Sequence, residues 1–443
     1  MKKIKKGLVV AVLFMLLGCS QVQENPEAKK GADDPKPLTL KVFQHIANIS
    51  DGEFNEFIAG PVQRKFPHIT MELVRRGNAG TGRSIEELIA AGDFPDLIWT
   101  GSNFLYDFYP NDLLYDLNPL IKQYKFDIEK FDPDVIKDIK KFGSNGELYA
   151  VPFSVNYSAL FYNKDIFDKF GVAYPKDGMT WDEYVELAKK VSRTENGVKY
   201  YGSAFRGPTY IGSPLSLPVV DPKTGKSALN SDGWRKVLER MVQLAESIGT
   251  AGMPYSKVDR PQFIKEKTAA MILYNIDFIG TLIQEEINGN KMNWDMATYP
   301  SFPEAPGKSA RSVSHVLMIA KSSKHKDEAF QVLSLVTSDK EVQSTSSRKG
   351  RVSALNDPEI RKLFGADLPN FQGKNAQGIF KATPAPNPAP TLYGNIAENP
   401  LNEAANNVLT GKMDINTALR QADEKHNQLI DSMKQSGISL ETH

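Results

Sequence analysis

The side chains that covalent catalysis recruits are thinly spread along this 443-residue chain. Its single cysteine, Cys19, sits in an apolar amino-terminal run, so neither a thiol nucleophile nor a Cys/His zinc site has material to build on. No serine elbow and no zinc-binding helix motif occurs. Carboxylates abound, which leaves a glycosidase open as a class, although it would need an unrelated architecture. The stretch Gly77-Asn78-Ala79-Gly80-Thr81-Gly82-Arg83-Ser84 comes within one residue of a phosphate-cradling loop, with arginine in place of lysine. With no second nucleotide motif beside it, it reads as a glycine-rich turn feeding a helix. What remains are hydrogen-bonding and aromatic side chains at the ends of extended segments: Gln44 and His45, Thr100, Ser102 and Asn103, and Phe205, Arg206 and Tyr210. That inventory suits reversible binding rather than bond making.

The elements that position them follow from hydrophobic period and turn residues. Leu38 to Phe43 alternates as a first strand, Ile69 to Val74 forms a second, and Pro95 to Trp99 a short buried third. Between them lie a helix from Phe54 to Phe66, kinked at Gly60-Pro61, and another from Ile85 to Ala91 closed by Gly92. In an open α/β sheet, ligands collect beyond the carboxyl ends of the strands, which is where Gln44, His45, Thr100, Ser102 and Asn103 fall. Tyr149 to Tyr162 is rich in aromatic and β-branched residues and reads as a long strand. Pro152 interrupts it, removing a ladder donor, as a chain passing between two lobes would. Farther on, Thr180 and Glu183 have capping-box spacing and Trp181 reads as core. Tyr201 to Arg206 is a strand, Trp234 to Ile248 an amphipathic helix, Met296 to Tyr299 and Val313 to Ile319 returning strands, Ser323 to Val336 a helix, Thr383 to Pro390 an outer loop, and Asn402 to Met433 terminal helices.

Met1 to Cys19 has the lysines and short apolar run of an export signal, and Leu16-Leu17-Gly18-Cys19 resembles a bacterial lipobox. Lipid on Cys19 would hold the protein on the outer face of a membrane without spanning it. Residues 20–37 read as a flexible tether, of which the polar stretch Gln21 to Lys36 reaches at most roughly 55 Å. A net charge of +1 gives no pull toward nucleic acid.

Three ordered groups of motifs carry a family resemblance. They are Asp116-Leu117-Asn118-Pro119-Leu120-Ile121, Gly146-Glu147-Leu148-Tyr149-Ala150-Val151-Pro152 leading to Tyr162-Asn163-Lys164-Asp165, and Thr180-Trp181-Asp182-Glu183. Together they resemble the extracellular solute-binding proteins of bacterial ABC importers, in the sugar-binding group related to maltose-binding protein. The resemblance implies a periplasmic-binding-protein-like α/β fold of two lobes, a hinge crossed by the chain three times, and a ligand gap between the lobes lined by Asn156. The expected lobes are residues 38–150 plus 299–325 and residues 151–298 plus 326–443. It also implies a carbohydrate ligand, an oligosaccharide, delivered by a monomeric receptor to a membrane permease, with no cofactor, metal or catalysis. On this reading Asn156 occupies the crossover contact position. Tyr157, Phe205, Tyr210 and Tyr274 offer stacking faces. Gln44, His45, Asn103, Arg206, Asp277, His315 and Arg348 are polar partners, His315 standing where relatives tend to have glycine. Arg206, Arg311, Arg348 and Arg351 leave room for an acidic sugar or another anion, and an exported carbohydrate-active enzyme remains the other alternative.

Overall fold

The computed structural model describes residues 36–77 and 83–438; Cys19, residues 20–35 of the tether, and residues 78–82 of the glycine-rich turn lie outside them. In chain order the strands are β1 (Leu38–Gln44), β2 (Ile69–Arg75), β3 (Leu97–Gly101), β4 (Val151–Asn156), β5 (Ser158–Asn163), β6 (Arg193–Glu195), β7 (Val198–Tyr200), β8 (Met271–Asn275), β9 (Trp294–Thr298), β10 (Lys308–Ser309), β11 (Val313–Ile319), β12 (Val352–Ser353) and β13 (Thr383–Pro384). A six-stranded sheet runs β12-β4-β11-β3-β1-β2, and a three-stranded sheet runs β8-β5-β9. β1 is parallel to β2 and β3, whereas β11 runs antiparallel to both β3 and β4.

The long aromatic stretch is therefore two strands in two sheets, and the break comes at Tyr157 rather than at Pro152. Pro152 stays inside the six-stranded sheet because the register of β11 against β4 slips there: His315 faces Ser154 while Val316 faces Pro152. A bulge of this kind tolerates a residue without an N–H. The chain changes sheets twice more, between β9 and β11 and after β12. The last change falls well beyond residue 325. Helices Lys326–Ser338 and Lys340–Arg348 and strand β12 stay with the first sheet, the first of these helices burying Phe330, Val332 and Leu333.

Two apolar clusters form the interior. One extends from the six-stranded sheet through Tyr157 to one face of the three-stranded sheet; the other lies on the far face, under helices Trp181–Val191, Asp232–Ile248, Glu398–Leu409 and Ile415–Gln435. The first cluster is continuous where an open gap had been expected. A run of rings carries it across: Tyr157 on Phe380, Phe380 on Phe364, Phe364 on Phe371, and Phe371 on Trp294.

Local chemistry explains the remaining differences. The Asp51–Lys65 helical stretch does not break at Gly60-Pro61 but widens by one residue, Gly60 N–H reaching Asn55 O. A Cβ on Gly60 would come within 2.8 Å of that oxygen. Tyr201 to Arg206 is not a full strand; it joins the sheet only through bridges at Tyr201 and Ala204, and Gly202 lies so close to helix Trp181–Val191 that a Cβ would meet Ala188 O at 2.0 Å. β6 and β7 form an unanticipated hairpin through Asn196-Gly197, both at positive φ, a strong turn signal in the sequence. Thr383-Pro384 pairs with β10, so this segment is tied to the second sheet change rather than loose on the outside.

Candidate binding site at the junction of the sheets

Asn156 ends β4 one residue before the chain changes sheets, and only 5 % of it is exposed. Its Oδ1 accepts the backbone N–H of Asp277 (3.2 Å), which follows β8 of the other sheet. Its Nδ2 lies 3.5 Å from His315 Nε2 on β11. One amide thus touches both halves of the molecule.

His315 is fixed from its other side, where Arg351 Nη1 donates to Nδ1 (2.8 Å). Arg351, which is 8 % exposed, also donates through Nε to Glu53 Oε1 (2.8 Å) and through Nη2 to Asn48 O (2.9 Å). Burial alone would raise the Glu53 carboxyl; Arg351 and the Ser50 N–H outweigh that and hold it below its usual value. Burial, helped by the Arg351 charge, pushes His315 down to about 3, so its ring is neutral. Since Nδ1 accepts from Arg351, the proton of the neutral ring sits on Nε2, facing the Nδ2 donor of Asn156.

On the side of the three-stranded sheet, Arg206 lies over two rings, 3.9 Å from the centre of Tyr210 and 4.1 Å from that of Tyr274. Tyr274 is stacked on Phe278 at 4.7 Å. The tyrosines are therefore already engaged, and the group they present is a layered guanidinium. Arg206 Nε and Asp277 Oδ1 are both buried without a hydrogen-bond partner, as is Asn402 Oδ1 near Gly207. Burial raises the Asp277 carboxyl, against the pull of Arg351. A buried donor and a buried acceptor left open costs roughly 1–3 kcal/mol each, a cost that a ligand hydroxyl, which donates and accepts at once, would relieve.

The first sheet's strand ends are arranged otherwise. His45 is buried, its Nε2 accepting from Arg76 Nη1 (3.0 Å) and its Nδ1–H donating to Thr100 Oγ1 (3.1 Å). Burial, then the Arg76 charge, lowers it to about 3. Phe104 and Phe108 meet its ring edge-on. Asp107, raised by burial, accepts from Asn395 Nδ2 (2.8 Å), a bond that ties this end to the segment leading into helix Glu398–Leu409.

The sequence-derived residues thus separate. Asn156, Arg206, Tyr210, Tyr274, Asp277 and His315 converge on the junction. Thr100 is fully buried and serves His45. Gln44 is held by Arg75 and by Ala47 O, and Ser102 Oγ accepts the Ser314 N–H; Asn103 is exposed. Tyr157 is spent on the ring run and its carbonyl on Ile276 N–H. Two expectations need correction. Phe205 is 2 % exposed and belongs to the far-face core, because its side chain points opposite to that of Arg206. Arg348 is half-buried and paired with Asp367; it is Arg351 that enters the junction. Sequence reasoning missed Glu53, Arg76 and Asp107 as site neighbours. Only the Ser50 to Glu53 capping box had a readable signal. Among the described residues no group of His, Cys, Asp and Glu is placed to hold a metal ion, and no helix is long and apolar enough to cross a membrane.

Two α/β sheets joined by three chain passages, with unmatched polar groups at the joint, define a binding protein of the periplasmic-binding-protein-like class. The chain belongs to the bacterial extracellular solute-binding protein family, whose model matches residues 50–343. It is 27 % identical over 358 residues to the arabinooligosaccharide-binding protein of Bacillus subtilis, covering 77 % of this chain and 78 % of that one. Among solved structures it is similar to an ABC substrate-binding protein of Listeria monocytogenes in complex with cycloalternan, with a TM-score of 0.72, 18 % identity, and coverage of 89 % of this chain and 100 % of the other. The sugar-binding protein MalE of Xanthomonas citri matches at a TM-score of 0.67 and 18 % identity, covering 91 % of this chain and 100 % of that one. At those identities the two structures speak to the fold.

Proposed function

We propose that this protein captures an oligosaccharide at the junction of its sheets and hands it to the membrane permease of an ABC importer, without chemical change to the ligand. The observation that carries the reading is the set of buried, unmatched groups at one place: the donor Arg206 Nε and the acceptor Asp277 Oδ1. Hydroxyls satisfy donors and acceptors together, and few other ligand groups do. Family membership and the sugar-binding relatives support the same ligand class. Closure would follow if ligand binds the arrangement joining both sheets more tightly than any other. The receptor works as a monomer, held to the outer membrane face by lipid on Cys19.

The test is calorimetry or thermal melting of the form lacking Met1 to Cys19 against a panel of oligosaccharides. A ligand that binds only the folded state raises the melting midpoint. Replacing Asn156 and Tyr274 together should abolish the rise; a rise unchanged in that variant would place the ligand elsewhere. Incorporation of labelled fatty acid into the full chain, lost in Cys19→Ser, tests the anchor.

A further inference from the structure

Building on the carbohydrate reading, we propose that the ligand carries a carboxylate, as a uronate-bearing oligosaccharide does, and that Arg311 receives that group. Three arginines near the junction have acids of their own: Arg351 with Glu53, Arg75 with Asp51, Arg361 with Asp132. Arg206 and Arg311 form no ion pair among the described residues. Arg206 spends its charge on tyrosine rings. Arg311 is held by Ser213 Oγ, which accepts from its backbone N–H (2.9 Å) and its Nε (3.4 Å), leaving the outer guanidinium edge uncommitted. The acid that acts on it, Asp138, is itself bound by Lys141 Nζ and by Asn387 Nδ2 (2.8 Å). Burial lowers the Arg311 guanidinium, outweighing the attraction of Asp138.

The position matches the chemistry. Arg311 lies in the second passage between sheets, just before Val313, which pairs with Asn156. Ser213 follows two residues after helix Pro208–Ile211, which carries Tyr210, so the piece of chain whose ring Arg206 covers also anchors Arg311. A planar guanidinium edge pairs a carboxylate through two parallel hydrogen bonds, which a neutral hydroxyl cannot do. Asp277 Oδ1, open in the same junction, is left for a hydroxyl of the same ligand.

The experiment titrates the protein by calorimetry with matched pairs: oligogalacturonate and its methyl ester, oligomannuronate and mannooligosaccharide, glucuronoxylo-oligosaccharide and xylooligosaccharide. At least one uronate should bind about 10- to 100-fold more tightly than its neutral counterpart. Arg311→Gln should remove that preference, weakening the uronate about tenfold more than its neutral counterpart, while the melting temperature of the free protein does not fall. Arg311→Lys, keeping charge but losing the planar fork, should fall between, and it serves if the glutamine variant folds poorly. A neutral sugar bound as tightly as its uronate, or a preference that survives Arg311→Gln, overturns the inference and leaves the carbohydrate reading standing. No binding by any saccharide, neutral or acidic, removes both.

Discussion

The two sides of the junction treat buried charge in opposite ways. On the six-stranded sheet, His45 and His315 are each held by an arginine, and Arg351 is in turn matched by Glu53 and Asn48 O. On the other side, Arg206 rests on rings, and Arg206 Nε, Asp277 Oδ1 and Asn402 Oδ1 have no partner. A closed hydrogen-bond network rigidifies, whereas an open one carries a free-energy cost that something outside the chain can relieve. On the function proposed above, the contrast makes the first side the support and the second the recognition surface, and it predicts that mutations on the two sides separate stability from binding.

The largest expected effect breaks the supporting network. Glu53→Gln leaves Arg351 buried with its charge unmatched and should destabilise the fold by about 3 kcal/mol, read from urea denaturation. A loss well under 1 kcal/mol would show that the pair is solvent-screened and the two sides are not different in kind. Acid probes the same network. Both His45 and His315 are lowered to about 3 in the folded protein, against about 6.5 when unfolded. The unfolded chain therefore takes up protons first, so the stability these rings contribute is complete above about pH 6.5 and falls progressively toward pH 3. Between pH 7 and pH 5 the loss should be about 2 kcal/mol per histidine. His315→Gln should flatten the urea midpoint's pH dependence by about half, and an unaltered slope would mean that the ring is not buried neutral.

Much of the frame was legible, and the failures have physical causes. β1, β2, β3 and β11 fall within a residue or two of where apolar runs and turn residues put them: β1 alternates, while β3 and β11, buried on both faces, read as short continuous apolar runs. The sheet change was misread by a few residues because a mid-strand proline has two explanations, a lost partner or a bulge, and only the register of β11 distinguishes them. The assignment of Phe205 to the site conflicted with strand alternation: once Arg206 faces the junction, its neighbour must face away. Glu53 and Arg351 lie 298 positions apart, and no local pattern announces such a pair. The helix Lys326–Ser338 was recognised as a helix but put on the wrong side, since amphipathic spacing reports that one face is buried and not against which sheet.

Smaller effects sharpen the division. Ser102→Ala removes the acceptor for the Ser314 N–H at 3.1 Å and should cost about 1 kcal/mol of stability with little change in ligand affinity, as expected of a supporting residue. A selective loss of affinity instead would move Ser102 into the recognition set.

Asp277→Asn should do the reverse. The side chain precedes helix Phe278–Ile287 but makes no capping hydrogen bond to it, so no helix end depends on the carboxylate. Burial raises its carboxyl, meaning that the charged form is disfavoured where it stands, and an amide of the same shape avoids that cost. Stability should therefore stay level or rise by up to about 1 kcal/mol. Affinity should fall by about tenfold, because a carboxylate accepts a ligand hydroxyl's proton roughly twice as strongly as a neutral amide does. The two shifts, measured together by urea denaturation and calorimetry, have opposite signs only if the open groups around Arg206 are kept open for a ligand; loss of stability with affinity intact would return Asp277 to the supporting side.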